Sequence, residues 1–566
     1  MSSGIRTDIR LPPAPQIEAV LYRGGHVYAP DTPHAQALLV LGGTVAWIGP
    51  DAMAASIAAG LPDRSVVDLQ GALVAPAFVD AHVHLTATGL SLAGLELTHA
   101  PSLAAALDAV AAAARRSPGD AVLWGTGWDE TRWPEQRPPT AAELDRAAGG
   151  RAVYLARVDV HSAVASSALL AAAGLTPAGG SGRKGSSSGG GESDGAAGRL
   201  TSGWVRLAEH DAVRRAARAA LGGSQRADAQ HRALTQAARH GIACLHECSG
   251  PEIAGVDDLT SAVALATGEL GPDLVPYWGG PVHEALRLAA QPAGDLFADG
   301  TLGSRTAALS FAYLDAPVGA EEHGRLLLDA GAMTRHLVEA TRASVQGGFH
   351  VIGDRAVLAA VDAAEAAADV VGVPRFVACR HRLEHLEMVP PGVPQRLARL
   401  GIVASVQPVF QQRWGAPGQM YDSRVGAERA RGMNPLRTLA HAGVPLALGS
   451  DAPVTPIDPW AGVRAAVHHP DPEQGLSARA AFAAATRGGW RAARRDGEGV
   501  LSVGAPATFA VWRHEGELSV QLPDARVSAW STDPRSATPG LPDLAAPAPS
   551  CERTVVRGVV IYDAVR

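Results

Sequence analysis

Short, continuously apolar runs alternate with longer stretches rich in alanine, leucine and arginine along the middle of the chain. Each run has the length of one strand and lacks the alternation of a half-exposed strand, whereas the stretches between runs have the length of helices. Strands that are apolar throughout and separated by helices are typical of a parallel sheet covered on both faces. The runs are "ALVAPAFVDAHVHL", "GIACLHE", "LVPYW", "DLFADG", "FHVIGD", "RHRLEHL", "GIVASVQP" and "GVPLALGSD".

Eight such units within residues 72–490 favour an α/β fold of the (β/α)8 TIM-like barrel type. A doubly wound open sheet is the alternative, because hydrophobic periodicity does not distinguish the two. In a barrel, the active site is built at the carboxyl ends of the strands.

Both ends of the chain carry short β-like segments joined by glycine-rich turns. They read "EAVLYRGGHVYAP" and "QALLVLGGTVAWIGP" near the N-terminus, and "APATFAVWRHE" and "CERTVVRGVVIYDAV" near the C-terminus. Neither end has enough strands for a stable sheet by itself. We therefore expect one small composite β-sandwich domain, built from residues 1–71 and 491–566, with the barrel inserted between its halves.

One segment departs from the strand–helix alternation. The stretches "VLWGTGWDETRW" and "RAVYLARVDVHSA" predict two strands of a subdomain inserted at about residues 120–210. The segment 178–198 that follows is too polar and too rich in glycine and serine to pack, so we expect a flexible loop there.

Composition narrows the class of protein. Of the 566 residues, 47% are hydrophobic and 19% charged, which is enough apolar sequence for a large core. The net charge of −7 gives no reason to expect nucleic acid or an anionic membrane as a partner. Four cysteines in a chain this long do not form a disulfide framework, and neither a signal peptide nor a membrane span is evident. We expect a cytoplasmic protein, for which a homodimer is the general expectation.

Candidate metal ligands fall at the ends of the predicted strands. His82 and His84 lie on one face of the first strand, because side chains two residues apart point the same way. His350, His385 and Asp451 close the fifth, sixth and eighth strands. Four histidines and a carboxylate suit a divalent metal, most often zinc, which would acidify a bound water. Asp451 could then accept the proton of that water.

Each candidate taken alone has a simpler explanation. His350 fits a core histidine before a turn, and His385 with Glu384 fits an exposed pair. Asp354 fits the N-cap of the next helix. The joint pattern favours the metal site: each candidate ligand closes a predicted strand, and each is chemically able to bind a metal or to act as a base.

The chain resembles the amidohydrolase superfamily, and within it the amidohydrolase-3 branch that includes N-substituted formamide deformylase-like proteins. The stretches that carry the resemblance, in family order, are "PAFVDAHVHL", "WGTGWDETRW", "VDVHSAVASSALL", "FADGTLGSRTAAL", "HVIGDRAV", "RHRLEHLE", "ASVQP" and "LALGSDAPVTPIDPW".

The resemblance implies a metal site with one or two divalent ions, made by His82, His84, His350, His385 and Asp451. It assigns catalysis to His385 and Asp451, with Asp451 as general base. It further implies that water attacks the carbonyl of a small amide or N-substituted formamide and that a carbon–nitrogen bond breaks, yielding a carboxylate and an amine.

Asp295 departs from the family pattern. Many members carry at this position a lysine that, when carboxylated, bridges two metals, and aspartate cannot form that carbamate. Three outcomes stay open: a mononuclear site, a pair of metals bridged by Asp295, or a weakened enzyme. We favour the mononuclear site, because the other five ligands do not require a bridge. A solvated aspartate at a strand start is the plain alternative.

Four further residues are candidates for substrate binding. Arg305 and Asp299 lie in "DGTLGSRTAAL", which we expect to cover the site. Arg305 could hold a substrate carboxylate or pair with Asp299 to brace this loop. Trp128 and His161 come from the inserted subdomain and could line the pocket, although His161 could equally be structural.

The leading hypothesis is therefore a metal-dependent amidohydrolase acting on a small-molecule amide. Deamination or opening of a cyclic amide on the same site is a second hypothesis. A catalytically weakened barrel that only binds is a third, and the full set of five ligands argues against it.

Overall fold

The fold is α/β, as the sequence predicts. The computed structural model describes residues 18–61, 64–116, 122–175, 202–268, 271–316, 322–521, 530–531 and 539–564. The predicted flexible loop 178–198 lies outside these residues. Within them, no helix combines the length and the hydropathy needed to cross a membrane.

The strands of the described residues form six sheets. They are β1 (Ala19–Arg23), β2 (His26–Val27), β3 (Ala37–Leu41), β4 (Thr44–Gly49), β5 (Ser65–Asp68), β6 (Leu73–Pro76), β7 (Phe78–Val83), β8 (Leu95–Glu96), β9 (Leu123–Trp128), β10 (Val153–Arg157), β11 (Ser162–Ala165), β12 (Trp204–Arg206), β13 (Ile242–Ser249), β14 (Asp273–Trp278), β15 (Gly348–Val351), β16 (Arg382–His385), β17 (Val403–Val406), β18 (Leu446–Leu448), β19 (Phe509–Arg513), β20 (Val520–Gln521), β21 (Trp530–Ser531), β22 (Ser550–Val556) and β23 (Val559–Asp563).

The apolar strands pair in parallel, in two sheets ordered β14-β13-β7 and β15-β16-β17-β18. The predicted fourth strand is not continuous: around it only the isolated parallel bridges Tyr277↔Gln291 and Phe297↔His350 form. Pro292 has no N–H for a ladder, and Gly294 has a φ of 80°, so the backbone cannot stay extended there. A third parallel bridge, Val83↔Ala452, joins the end of β7 to the residues that follow β18.

Helices cover the parallel strands and connect them. The α-helices span Asp51–Ile57, Leu85–Ala93, Leu103–Arg116, Ala141–Ala148, Ser167–Ala172, Leu207–Ala219, Gly223–Arg239, Val256–Gly268, Val282–Arg287, Ala330–Arg342, Asp354–Val371, Val373–Cys379, Val393–Arg399, Pro408–Trp414, Met420–Val425, Ala427–Arg431, Leu436–His441, Pro459–Val467, Ala478–Ala483 and Gly489–Ala492. Short 3-10 helices span Glu130–Arg132 and Pro472–Gln474, and a π-helical turn spans Ala484–Gly488.

The remaining sheets are antiparallel or mixed. One, ordered β4-β3-β1-β5, uses only N-terminal strands, and another, ordered β2-β6-β19-β22-β23, combines strands from both ends of the chain. Within the second, β19 pairs with β6, which leads directly into the ligand-bearing β7. A third sheet, ordered β12-β11-β10-β9-β8, holds the predicted inserted segment.

An aromatic cluster joins the parallel strands to the sheet that contains β19. The ring of Phe78 at the start of β7 lies 5.1 Å from Trp460, 5.3 Å from Phe482 and 5.6 Å from Trp512, all edge to face. Such pairs contribute about 0.5–1.5 kcal/mol each beyond the area they bury. The strand that carries His82 and leads to His84 is therefore anchored at its amino end by packing.

Candidate metal centre

The carboxyl ends of the parallel strands bring the predicted ligands together. His82 lies in β7 and His84 follows it, His350 lies in β15, and His385 ends β16. Asp451 follows β18 and is held by its backbone N–H, which donates to the His82 carbonyl at 2.8 Å. All five side chains are buried. The exposed-pair alternative for His385 is therefore wrong.

Asp295 lies at the centre of this group. Its Oδ2 is 3.4 Å from His82 Nε2 and 3.2 Å from His84 Nε2. Its Oδ1 is 3.5 Å from His350 Nδ1 and 3.6 Å from His385 Nε2. The residue is 5% exposed, so the solvated-aspartate alternative is wrong. Each carboxylate oxygen faces a different pair of histidines, which is the arrangement a bridging carboxylate needs.

Asp451 completes the side of the cluster formed by β7. Its Oδ1 is 3.1 Å from His84 Nε2 and 3.5 Å from His82 Nε2. Asp451 has a φ of 54° and His385 a φ of 72°, both in the left-handed region that few non-glycine residues adopt. Backbone strain of this kind persists only where the surrounding structure imposes it, and it concentrates at functional sites.

The second ring nitrogen of each histidine is fixed by an acceptor. His82 Nδ1 donates to Glu384 Oε2 at 2.9 Å, and His84 Nδ1 donates to the Cys248 carbonyl at 2.9 Å. His385 Nδ1 donates to Gln407 Oε1 at 2.8 Å. His350 uses the opposite nitrogen, since its Nε2 lies 3.3 Å from the Gly300 carbonyl. These acceptors set the tautomers and leave one free nitrogen per ring directed at the centre.

The inward-facing atoms lack partners within the protein. Buried polar atoms are nearly always hydrogen-bonded, so a cluster of unpaired ones is typical of a ligand-binding site. The unpaired buried atoms here are His82 Nε2, Asp295 Oδ1, His350 Nδ1, His385 Nε2 and Asp451 Oδ1. Imidazole nitrogens and carboxylate oxygens are the donor set that zinc and related divalent cations take. These residues therefore fit a divalent metal.

The electrostatics of the cluster favour a cation. Burial by itself lowers the pKa of His84, but the carboxylates of Asp295 and Asp451 outweigh it and raise that pKa to about 10. The pKa of His82 is also raised. Burial lowers this pKa, but Cys248, Asp295 and Asp451 together outweigh burial. The carboxylates thus place a negative potential at the centre of the cluster.

Two acidic groups behind the ligands were not identified from the sequence. Glu384 is fully buried between His82 and Arg382, whose Nε lies 2.5 Å from Glu384 Oε1. Burial raises the pKa of Glu384, but Arg382 and His82 together outweigh burial and hold that pKa at about 2. Asp80 accepts the Ser450 N–H at 2.8 Å and the Ser450 hydroxyl at 2.5 Å, which ties β7 to the loop that carries Asp451. The sequence signal for Asp80 is its spacing of two residues from His82, which places both side chains on the same face of β7.

We expect Glu384→Gln to weaken metal binding about 10- to 100-fold, because the substitution removes the charge that orients His82. It also leaves Arg382 buried without its carboxylate, so the free energy of unfolding should fall by about 3–5 kcal/mol. A chelator competition measures the metal affinity, and urea denaturation measures the stability.

Glu365→Gln is the matched control for this substitution. Glu365 also accepts hydrogen bonds from an arginine, Arg396, but it lies in the helix Asp354–Val371 and is 36% exposed. We expect the control to retain the metal affinity of the unmodified protein. Equal metal affinity in both variants would contradict the role given to Glu384.

Two cavities adjoin the cluster, and His161 lines both. The larger has a volume of about 80 Å³ and lies beside His84 and Asp295, and its wall includes Glu247. The smaller has a volume of about 20 Å³ and lies beside His350, His385 and Asp451. The predicted position of His161 at the pocket is thus matched by the structure, with its ring 5.2 Å from that of His350.

The other three substrate-binding candidates have different surroundings from those predicted. Arg305 does not pair with Asp299; its Nε and Nη2 donate to Asp315 at 3.1 and 2.8 Å, so its charge is already neutralised. Asp299 is fully buried and accepts three backbone N–H groups, from Ile352, Gly353 and Ala308, so it braces the loop instead of contacting a ligand. Trp128 is buried in the inserted sheet and donates to the Leu155 carbonyl at 2.8 Å.

Comparisons with known proteins identify the family of this chain. The model of the amidohydrolase family, Amidohydro_3, matches residues 65–562. The Arabidopsis thaliana protein LONG AFTER FAR-RED 3 is 28% identical over 541 residues, which cover 88% of each chain. N-substituted formamide deformylase from Arthrobacter pascens is 32% identical over 136 residues, 24% of this chain and 25% of that protein. A metal-dependent hydrolase from Pyrococcus furiosus superposes with a TM-score of 0.67 at 26% identity, covering 87% of this chain and 98% of that one.

Proposed function

This chain belongs to the amidohydrolase family, and we propose that it hydrolyses a small amide or N-substituted formamide at a divalent metal centre. As a member of the family it is a metal-dependent hydrolase that acts on carbon–nitrogen bonds other than peptide bonds. The observation that carries the proposal is the set of five buried, inward-facing ligand atoms that have no partner in the protein.

We propose that the site takes two ions, most suitably zinc. His82, His84 and Asp451 would hold one, His350 and His385 would hold the other, and Asp295 would bridge them. Support comes from the two oxygens of Asp295, each of which faces its own pair of histidines. A bound divalent ion supplies water of lowered pKa and polarises a carbonyl group.

Asp451 would carry the proton in this reaction. The water oxygen bonds to the carbonyl carbon, the carbon–nitrogen bond breaks, and the products are a carboxylate and an amine. Asp451 takes a proton from the attacking water and delivers it to the leaving nitrogen. His161 would contact the substrate, since it lines both cavities beside the ligands.

An N-substituted formamide is the leading substrate class. The Arthrobacter pascens relative is a formamide deformylase by name, and the two chains align over a quarter of each. The larger cavity, with Trp124, Tyr154 and Phe297 in its wall, has room for an apolar substituent on nitrogen.

We also propose that the parallel strands close into a (β/α)8 barrel and that the terminal strands form one composite β domain. Support for closure comes from the bridges Val83↔Ala452, Tyr277↔Gln291 and Phe297↔His350, which link the two parallel sheets at both edges. Support for the composite domain comes from the pairing of Phe509 in β19 with Pro76 in β6.

Removal of the metal tests the proposed centre. We expect plasma mass spectrometry to find two metal ions per chain after purification and near zero after dialysis against a chelator. Hydrolysis should disappear with the metal and return when zinc is restored. A protein that stays near zero metal after incubation with zinc would overturn the metal centre and favour a barrel that only binds.

Product analysis tests the reaction. Formate plus a substituted amine is the expected outcome with an N-substituted formamide. Ammonia from a panel of amino-substituted heterocycles, without formate from any formamide, would establish the deaminase alternative instead.

A further inference from the structure

We propose that the larger cavity selects substrates that carry a carboxylate on an apolar body, and that Arg218, with Arg214 beside it, binds this carboxylate. The inference rests on the proposed hydrolase function and adds the substrate class. It starts from two arginines in a wall that is otherwise mostly apolar.

The two arginines share one face of the helix Leu207–Ala219, because residues four apart lie one turn above each other. Both line the same cavity as His84 and Asp295 of the metal centre. Arg214 lies close enough to His161 to contribute to the lowering of its pKa, in which burial is the largest cause. The metal centre and the two arginines therefore face the same cavity.

The charge of Arg218 is not neutralised by the described part of the chain. Arg214 donates to Asp211 at 3.0 Å, and Asp258 is engaged by Thr86 at 2.9 Å and by Arg226 at 3.5 Å. The side chain of Arg218 forms no ion pair or hydrogen bond with the described residues, and its Nη1 is buried without a partner.

The surroundings of Arg218 favour the binding of an anion. Burial, and secondarily the charge of Arg214, lowers the pKa of Arg218 to about 10, which still leaves it positively charged at neutral pH. Glu247 is the acidic residue of the cavity wall outside the metal cluster; burial raises its pKa to about 7, and it accepts the Leu85 N–H at 2.7 Å. A guanidinium group binds a carboxylate through two parallel hydrogen bonds, and a low-dielectric wall strengthens that pairing.

Calorimetric titration of the metal-loaded protein with 4-phenylbutyrate and with the neutral methyl ketone of the same chain, 5-phenylpentan-2-one, tests the inference without turnover, because neither compound has a carbon–nitrogen bond. We expect the unmodified protein to bind the carboxylate about 10- to 100-fold more tightly than the ketone. Arg218→Gln should reduce this ratio to about threefold or less. Glutamine keeps a polar group but loses the positive charge and the planar pair of N–H donors that holds a carboxylate through two hydrogen bonds.

Arg215→Gln is the matched control. Arg215 lies on the same helix but is 52% exposed and pairs with Glu252, so its loss should leave the ratio unchanged. A ratio near one in the unmodified protein overturns the inference. So does a ratio that survives in Arg218→Gln, because the carboxylate would then bind the metals themselves.

A second variant keeps the test decisive if Arg218→Gln fails to fold. Arg218→Lys retains the charge without the planar fork, so the ratio should fall about threefold or more; an unchanged ratio contradicts the inference. Hydrolysis is measured separately on N-formyl-4-(aminomethyl)benzoate. A preserved binding preference without any hydrolysis would refute the proposed function and leave the carboxylate site standing.

Discussion

Asp451→Asn should lower kcat by about 10³- to 10⁴-fold while the protein keeps most of its bound metal. The loss is expected because asparagine cannot take a proton from water, and a positioned general base contributes about 10²- to 10⁴-fold. Metal should largely stay, because Asp295 and the four histidines surround the same space. Steady-state kinetics and plasma mass spectrometry on one preparation measure both quantities.

Asp458→Asn is the control for this substitution. Asp458 caps the helix Pro459–Val467 by accepting the Ala461 N–H at 3.0 Å, and it lies seven positions from Asp451 in the same loop region. We expect it to change stability by about 1 kcal/mol or less and leave kcat within about twofold. Activity of Asp451→Asn within about tenfold of the unmodified protein would remove Asp451 from the role of base.

Asp295→Asn should reduce the bound metal from two ions per chain to one or fewer, and kcat by about 10²-fold or more. Both effects follow from the loss of one negative charge between two cations, which then repel each other at short range. The substitution preserves the volume of the side chain, so the cluster should stay assembled. Metal content per chain, followed across a zinc titration, separates this result from unfolding.

Asp362→Asn serves as the control for Asp295. Its carboxylate pairs with Arg396 at 2.6 Å and is 61% exposed, so neither metal content nor kcat should change. Retention of two ions per chain in Asp295→Asn would show that the metals need no bridge. One ion per chain in the unmodified protein would support the mononuclear site that the sequence favours.

The sequence predicted well which segments form strands and which form helices, because hydrophobic periodicity and turn-forming residues are local signals. Continuous apolar runs such as the one ending at His84 became parallel strands, since each side chain in them is buried on some face. The predicted fourth strand, "DLFADG", is reduced to the isolated bridge Phe297↔His350, and Pro292 and Gly294 interrupt the extended backbone directly before it. Proline and glycine next to a short run limit the ladder that the run can form.

Pairings across the chain escaped prediction for a different reason. The sequence offered Arg305 either a substrate carboxylate or Asp299 of the same loop, yet its partner is Asp315, and Asp299 accepts hydrogen bonds from backbone groups near residue 352. Trp128 looked like a pocket residue by its place in a motif, whereas Trp124, four positions earlier, lines the cavity. Which side of a strand faces a cavity depends on what packs against it.

By itself, the sequence determined the family, the α/β class and the strand-end positions of His82, His84, His350, His385 and Asp451. These follow from motif spacing and from side-chain period, which are properties of short segments. Only the tertiary structure decided that Asp295 lies among the histidines, that Glu384 lies between His82 and Arg382, and that Arg218 shares a cavity with the metal ligands. Such contacts join segments hundreds of residues apart, as between His82 and Glu384, and they are set by how strands and helices pack. No local pattern records that packing, because it depends on the whole core at once.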